Sequence, residues 1–151
     1  MSYIIASNGK RVILDSEDAR MFRRMGFPIW ITKRGGYPAI TICGKNFTVH
    51  SLLVKRIGGM VVDHINRNPL DNRRENLRLC THRHNTWNGR AHSDGRTGIR
   101  GVSYRKKEKT WVAYISINRK WTHLGYFKSK RKAVAVRKLA EKKFYREFAP
   151  V

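Results

Sequence analysis

The stretch VVDHINRNPLDNRRENLRLCTHRHNTWN, residues 61–88, constrains the fold more than any other. Two short apolar runs, MVV and LRLC, bracket a loop of turn formers that includes Asn66, Asn68, Pro69, Asp71, Asn72 and Asn76. Runs that short read as strands. Asn, Asp and Pro between them read as a loop whose side chains hydrogen-bond its own backbone. Thr81 then stands as N-cap before HRHNTWN, which reads as a helix. The order is strand, long loop, strand, helix. A piece of this size is marginal alone, so the flanking chain must share its core.

Residues 2–14 read as two strands around the turn SNGK. Asp15 is an expected N-cap for a helix over 16–25, with Asp18 at its third position, and MGFP ends that helix. IWITKRGGYPAITI reads as a hairpin turning at Gly35-Gly36, and CGKNFTV as a further turn and strand. HSLLVKRI reads as a short helix ending at Gly58-Gly59, and His50 at its start as a buried, hydrogen-bonded histidine. The two cysteines, Cys43 and Cys80, form no C-x-x-C and read as buried thiols, against a disulfide framework or a zinc knuckle. Cys80, His82 and His84 lack an evident fourth ligand for a transition metal, and His82 suits a helix start as well as a phosphate or metal contact. Trp87 reads as core.

RAHSDGRTG, residues 90–98, reads as a linker. Beyond it GVSYRKK, TWVAYISIN and KWTHLGYF read as three strands, with a tight turn at Asn118-Arg119. Ser129 caps an expected helix to about Glu147, whose apolar stripe is Ala133, Val136, Ala140 and Phe144. Alternation puts Trp111, Ala113, Ile115 and Ile117 toward that helix and Val112, Tyr114, Ser116 and Asn118 away from it. The open face should then present Arg105, Lys107, Tyr114, Ser116, Trp121 and His123. Cations, hydroxyls and an aromatic suit a duplex groove.

Charge points the same way. The 151 residues hold 33 Lys and Arg against 10 acids, a net charge of +23. Residues 1–95 carry +9 and residues 96–151 carry +14, so the shorter part is the denser in positive charge. Such a chain favours polyanions. No run of about 18 apolar residues is present to span a membrane. MSYIIASNGKR turns polar too early for a secretory signal, and the expected location is the cytoplasm, that of the bacterial host if the gene is a phage's.

Hydrolysing a phosphodiester requires a deprotonated water, a positioned phosphate and a stabilised leaving oxygen. A histidine suits the first task at neutral pH, and a divalent cation on oxygen ligands suits the others. Asp63 and His64, adjacent on a strand, point to opposite sides, so one can face a cation and the other a water. Asn85, one turn into the helix after Thr81, is a candidate second oxygen ligand.

With those residues in view, the stretch resembles the HNH motif of phage and intron-encoded homing endonucleases. The likeness rests on D-H-I-N, L-D-N-R, E-N-L-R and T-H-x-x-N. The resemblance implies a ββα-metal fold around one divalent cation, Mg²⁺ with Mn²⁺ as a substitute. It implies His64 as general base, Asp63 and Asn85 as metal ligands, and Asn76 as the residue holding the His64 backbone and loop. GGYPAITICGKNFTVHSLLV is also similar to the segment before that motif, where the histidine is usually followed by Arg; here Ser51 follows His50. RGVSYRKKEKTWVAYISINRKWTHLGYF resembles the AP-two/ERF domain of plant transcription factors, which lays three strands in the DNA major groove. Its matching outward positions are Arg100, Ser103, Arg105, Tyr114, Ser116, Trp121 and His123, with Ser103, Ser116 and Trp121 where the family often has Arg.

The expected fold class is therefore α+β. A nuclease domain over 1–95, with a strand-rich N-terminal extension and a ββα-metal core at about 60–92, precedes a three-stranded sheet on one helix over 96–151. The expected function is a homing-type, nicking, metal-dependent endonuclease of double-stranded DNA, a monomer or weak dimer, with no membrane and no protein partner implied. The alternative is a DNA-binding regulator that does not cut. An RNA-binding protein is a third class, but neither an RRM-type aromatic signature nor a GXXG loop is present.

Overall fold

The computed structural model describes residues 2–89, 97–118 and 120–150. It is a mixed α and β chain of four small sheets in two compact units, Met1–Thr86 and Trp87–Pro150. The expected linker lies largely outside the described residues, as does Arg119 of the expected turn.

In the N-terminal unit, β1 (Ser2–Ile5) and β2 (Arg11–Leu14) pair as an antiparallel hairpin, followed by α1 (Ser16–Met25). Gly26 ends α1 in the left-handed conformation that glycine adopts cheaply, at φ 71°. β3 (Trp30–Ile31), β4 (Pro38–Ile42) and β5 (Lys45–Thr48) form a second antiparallel sheet in that order. α2 (Val49–Leu53) leads to the pair β6 (Val61–His64) and β7 (Leu77–Cys80), and then to α3 (His82–Asn88). One core joins these pieces: Val12, Leu14, Ala19, Phe22, Ile40, Val49, Leu53, Val62 and Leu77 are all buried within it. The N-terminal extension thus supplies the core that two four-residue strands cannot.

The extension also grips the polar loop. Ile13 donates its N–H to Leu70 O at 2.8 Å and accepts from Asn72 N–H at 2.8 Å. Asp15 does not cap α1 with its side chain; its Oδ2 accepts the Arg74 N–H at 2.9 Å. Asp18, only 5% exposed, takes a forked pair of bonds from Arg74 Nε and Nη2 at 3.0 and 2.8 Å. Both carboxylates serve the distant loop because Arg74 offers charge-assisted donors that outcompete a local cap.

Two other expectations change. α2 stops at Leu53, since Val54 turns extended, and Ile57 beyond it is 63% exposed, with no core to hold a longer helix. Cys43 is exposed because it occupies the tight β4–β5 turn at φ 47°, whereas Cys80 is buried.

In the C-terminal unit, β8 (Val102–Arg105), β9 (Thr110–Ile117) and β10 (Lys120–Phe127) form an antiparallel sheet with β9 central, and α4 (Lys130–Tyr145) packs on it. Ser129 Oγ caps α4 by accepting Lys132 N–H at 3.3 Å. Trp111, Ala113, Ile115 and Ile117 do lie in the clusters under the helix. The helix stripe differs from the expected one. Phe144 is 40% exposed, and Ala133, Arg137, Ala140 and Tyr145 are buried instead. Tyr145 takes the place because its ring stacks on Trp87, 4.5 Å between centroids, while its hydroxyl donates to Ser116 O at 3.0 Å. Arg137 is buried because it is satisfied there. Its Nε donates to Glu141 Oε1 at 2.8 Å, and its Nη1 donates to Tyr114 O. Gly101, at φ 73°, lets this arrangement close, because a Cβ there would lie 2.4 Å from Tyr114 O.

Candidate active site

The pairing of β6 with β7 sorts the key side chains. Asp63 lies opposite Arg78, and His64 opposite Leu77. On a pleated pair, Asp63, Arg78 and Cys80 share one face, and Val62, His64 and Leu77 share the other. Asp63, 6% exposed, accepts from Arg78 Nε at 3.0 Å and Nη2 at 2.8 Å through Oδ2. Arg78 therefore fixes the direction of this carboxylate. α3 lies on the Asp63 side. Burial and the Asp63 charge push the Cys80 thiol above its usual pKa, while the backbone N–H of Asn85 opposes the shift, so this thiol sits near both expected ligands. Asn85 is exposed, one turn into α3, and Thr81 caps that helix by accepting His84 N–H at 3.2 Å.

On the other face His64 joins a cluster of rings. His50 meets it edge-on, with centroids 5.2 Å apart at 85°, and Tyr37 lies 5.2 Å from His50 and 5.9 Å from His64. Tyr37 reaches inward because Gly35, at φ 87°, has no Cβ; one would sit 2.4 Å from the tyrosine ring. His64 Nε2 bonds Asn72 Oδ1 at 3.4 Å, and Asn72 is fully buried. The Asn72 amide cannot turn round, because its Nδ2 donates to Pro69 O at 3.0 Å. Its oxygen therefore faces the ring, His64 carries its proton on Nε2, and Nδ1 holds the lone pair.

Asn76 acts one step away from the expected position. Its side chain accepts Asn66 N–H at 3.0 Å and donates to Asn66 Oδ1 and Asp71 O at 3.0 and 2.7 Å, while its carbonyl accepts Ile65 N–H. It clamps the loop after His64 rather than the His64 backbone. Asp71 completes that loop through Arg73 and Asn66. Sequence reasoning missed Tyr37, Asn72 and Arg78. Arg78 was within reach, since pairing VVDH antiparallel to LRLC sets it opposite Asp63.

Burial lowers the His64 pKa, against Asn72, Asp63 and Asp71, which raise it. Burial, with His64 and Arg56 nearby, lowers that of His50 to about 4. Between about pH 6.5 and 4 the unfolded chain binds protons at His50 that the folded chain refuses, so stability falls as pH falls through that window. Urea melts across this range should show the decline, and His50→Gln should flatten it.

Among the described residues no group of three or more His, Cys, Asp or Glu could hold a metal. A thiolate or imidazole zinc site is therefore absent there. One carboxylate and one amide oxygen instead form a donor set suited to a hard cation that keeps waters and binds phosphate.

The C-terminal sheet presents a second charged surface. Cross-strand partners give its outer face: Ser103, Arg105, Tyr114, Ser116, Trp121 and His123, which register brings to one side. Arg105 Nη2 donates to Tyr114 OH at 3.2 Å, and Tyr114 meets the His123 ring at 5.4 Å. Trp121 is 73% exposed. Lys107 is not on this face: β8 ends at Arg105, and Lys107 lies in the turn to β9. Arg100 lies in the turn before β8. Tyr126 was missed. An irregularity between His123 and Gly125 inserts a residue, so Tyr126 rather than Gly125 follows His123 outward, with the rings 4.6 Å apart.

The HNH endonuclease family model matches residues 57–86. The chain is 33% identical over 58 residues to protein 3.8 of Escherichia phage T7, covering 38% of this chain and 48% of that one. It is 27% identical over 125 residues to an uncharacterized HNH endonuclease of Acanthamoeba polyphaga mimivirus, covering 80% of this chain and 64% of that one. The chain thus spans about half to two thirds of the length of these curated relatives. No solved structure matches it significantly. Asp63, His64, Asn76 and Asn85 all fall within the matched residues, and this segment is an HNH endonuclease domain.

Proposed function

We propose that the protein is a homing-type DNA endonuclease that nicks one strand of a duplex using a divalent cation, as HNH nucleases generally do. The observation that carries this reading is the tautomer of His64. Asn72 holds the proton on Nε2, so Nδ1 is a ready acceptor on a rigid strand inside an HNH match. His64 Nδ1 takes a proton from water, the water oxygen bonds to phosphorus, and the bond to the 3′ oxygen breaks with its electron pair on that oxygen. Asp63, aimed by Arg78, and Asn85 would hold the cation in a ββα-metal arrangement of β6, β7 and α3. Bound there, Mg²⁺ or Mn²⁺ would supply Lewis-acid stabilisation of the leaving oxygen. Asn76 keeps the loop after the base closed.

The C-terminal unit would carry the target. Its +14 charge and the outer face of β8–β10 suit the AP-two/ERF mode of groove binding, with Arg105, Tyr114, Trp121 and His123 as contacts, Ser103 and Ser116 between them, and Arg100 and Lys107 at its rim. Duplex affinity should fall steeply with salt, by about 0.9 log units per log unit of salt for each phosphate neutralised. A flat dependence counts against this surface. Trp121→Ala should weaken binding, by about 1–3 kcal/mol if the indole stacks on a base, without slowing the cleavage of bound DNA. Cutting itself is tested on an end-labelled duplex from the gene's own genomic neighbourhood. Asp63→Ala and Asn85→Ala should raise the Mg²⁺ requirement, and equal metal dependence in both variants and the wild type would remove these residues from the cation site.

A further inference from the structure

His50 has a role that the motif does not assign. Its side chain is buried, at 6% exposure, yet Nδ1 has no hydrogen-bond partner. A buried polar atom left unpartnered calls for an explanation. The neighbouring hydroxyls fix which nitrogen carries the proton. Ser51 Oγ donates to Thr48 O at 2.7 Å, and Thr48 Oγ1 donates to Ser51 Oγ at 3.0 Å. The Thr48 proton is thereby used, so in the 3.1 Å contact with His50 Nε2 the threonine accepts and the imidazole donates. His50 therefore carries its proton on Nε2 and a bare lone pair on Nδ1. Its depressed pKa keeps it neutral near pH 7.

His64 has the same tautomer, set by a different residue, and the two rings lie 5.2 Å apart. Two neutral imidazoles with Nδ1 lone pairs thus share one small cluster. Two acceptors in reach of one another suit a molecule with two protons to give.

We propose that His50 is a catalytic residue of the nuclease centre, whose Nδ1 accepts a hydrogen bond from the same water that His64 deprotonates. This rests on the nuclease reading above. With one proton directed to each imidazole, the lone pairs of the water are turned outward, toward the phosphorus. In the step, His64 Nδ1 takes one proton, and the oxygen–phosphorus bond forms. The bond to the 3′ oxygen then breaks, and that oxygen takes a proton from solvent. His50 keeps the other proton of the water at hydrogen-bond distance and undergoes no net change.

Two substitutions separate the two nitrogens. His50→Asn leaves an acceptor oxygen where Nδ1 was and loses the bond to Thr48. His50→Gln reaches Thr48 and loses the acceptor. At saturating duplex and Mg²⁺, His50→Asn should keep cleavage within about tenfold of wild type, while His50→Gln and His50→Phe should fall by about 100-fold with KM unchanged. The reverse order, with His50→Gln near wild type, would mean that His50 only anchors α2 and would overturn the proposal. A crystal structure of the wild-type protein showing ordered water decides the matter without any cutting. A water about 2.7–3.2 Å from Nδ1 of both histidines is expected. A dry Nδ1, or one bonded to a protein group, would refute the shared water even if the enzyme cuts. If the water is present but no metal supports cutting, the nuclease reading fails and the paired site stands.

Discussion

His64→Ala should reduce strand cleavage by about 10²–10⁴-fold while leaving duplex affinity within about twofold of wild type. The ring is 5% exposed, flanked by Tyr37 and His50 and bonded to Asn72, so its removal takes away the acceptor and opens a small void. The phosphate-binding charge lies mainly in the other unit, which the substitution does not touch. The measurement is single-turnover cleavage beside a binding titration. Loss of both together would make His64 a structural residue. His64→Asn, which keeps an acceptor of low basicity, should be nearly as inactive, and that separates proton transfer from packing.

Arg137→Ala should destabilise the C-terminal unit by about 3–5 kcal/mol, the scale for stripping one partner from a buried ion pair. Glu141, with its side chain 13% exposed, would lose its cation, and Tyr114 O would lose its donor. A unit of this size has little stability to spare. Its apolar core is two small clusters, around Ala113 and around Ile115. Thermal unfolding followed by Trp fluorescence should show an early transition, with duplex affinity lost alongside it. Arg137→Met, which keeps the stem and the packing, should still destabilise, because the polar partners remain unpaired. An unchanged transition in both variants would show that the buried arginine contributes specificity and no stability.

Much of this molecule could be read from its sequence, and for identifiable reasons. The strands were legible because their apolar residues alternate, as in PAITI and TWVAYISI. The Ser129 and Thr81 caps were legible because capping is local. What escaped was non-local. Asp15 and Asp18 look like helix-start residues, and only the folded chain brings Arg74 to them across more than fifty positions. Phe144 fits the helical stripe, but Trp87 selects Tyr145 instead, and Trp87 lies far back in the chain. The inserted residue near Gly125 shifts Tyr126 to the outer face, which strict alternation cannot foresee. At the site, Asp63, His64, Asn76 and Asn85 were legible by their spacing. Their supports were not. Asn72 was one of several similar loop residues, and Tyr37 and His50 come from elements well before the motif.

The most direct test of the account is a supercoiled plasmid carrying DNA from the gene's neighbourhood, incubated with wild-type protein and Mg²⁺ or Mn²⁺. Open circles should accumulate with either metal, disappear in EDTA, return when metal is added back, and be absent with His64→Ala. Tight binding to the plasmid with no conversion under any metal would contradict it and leave a DNA-binding regulator in its place.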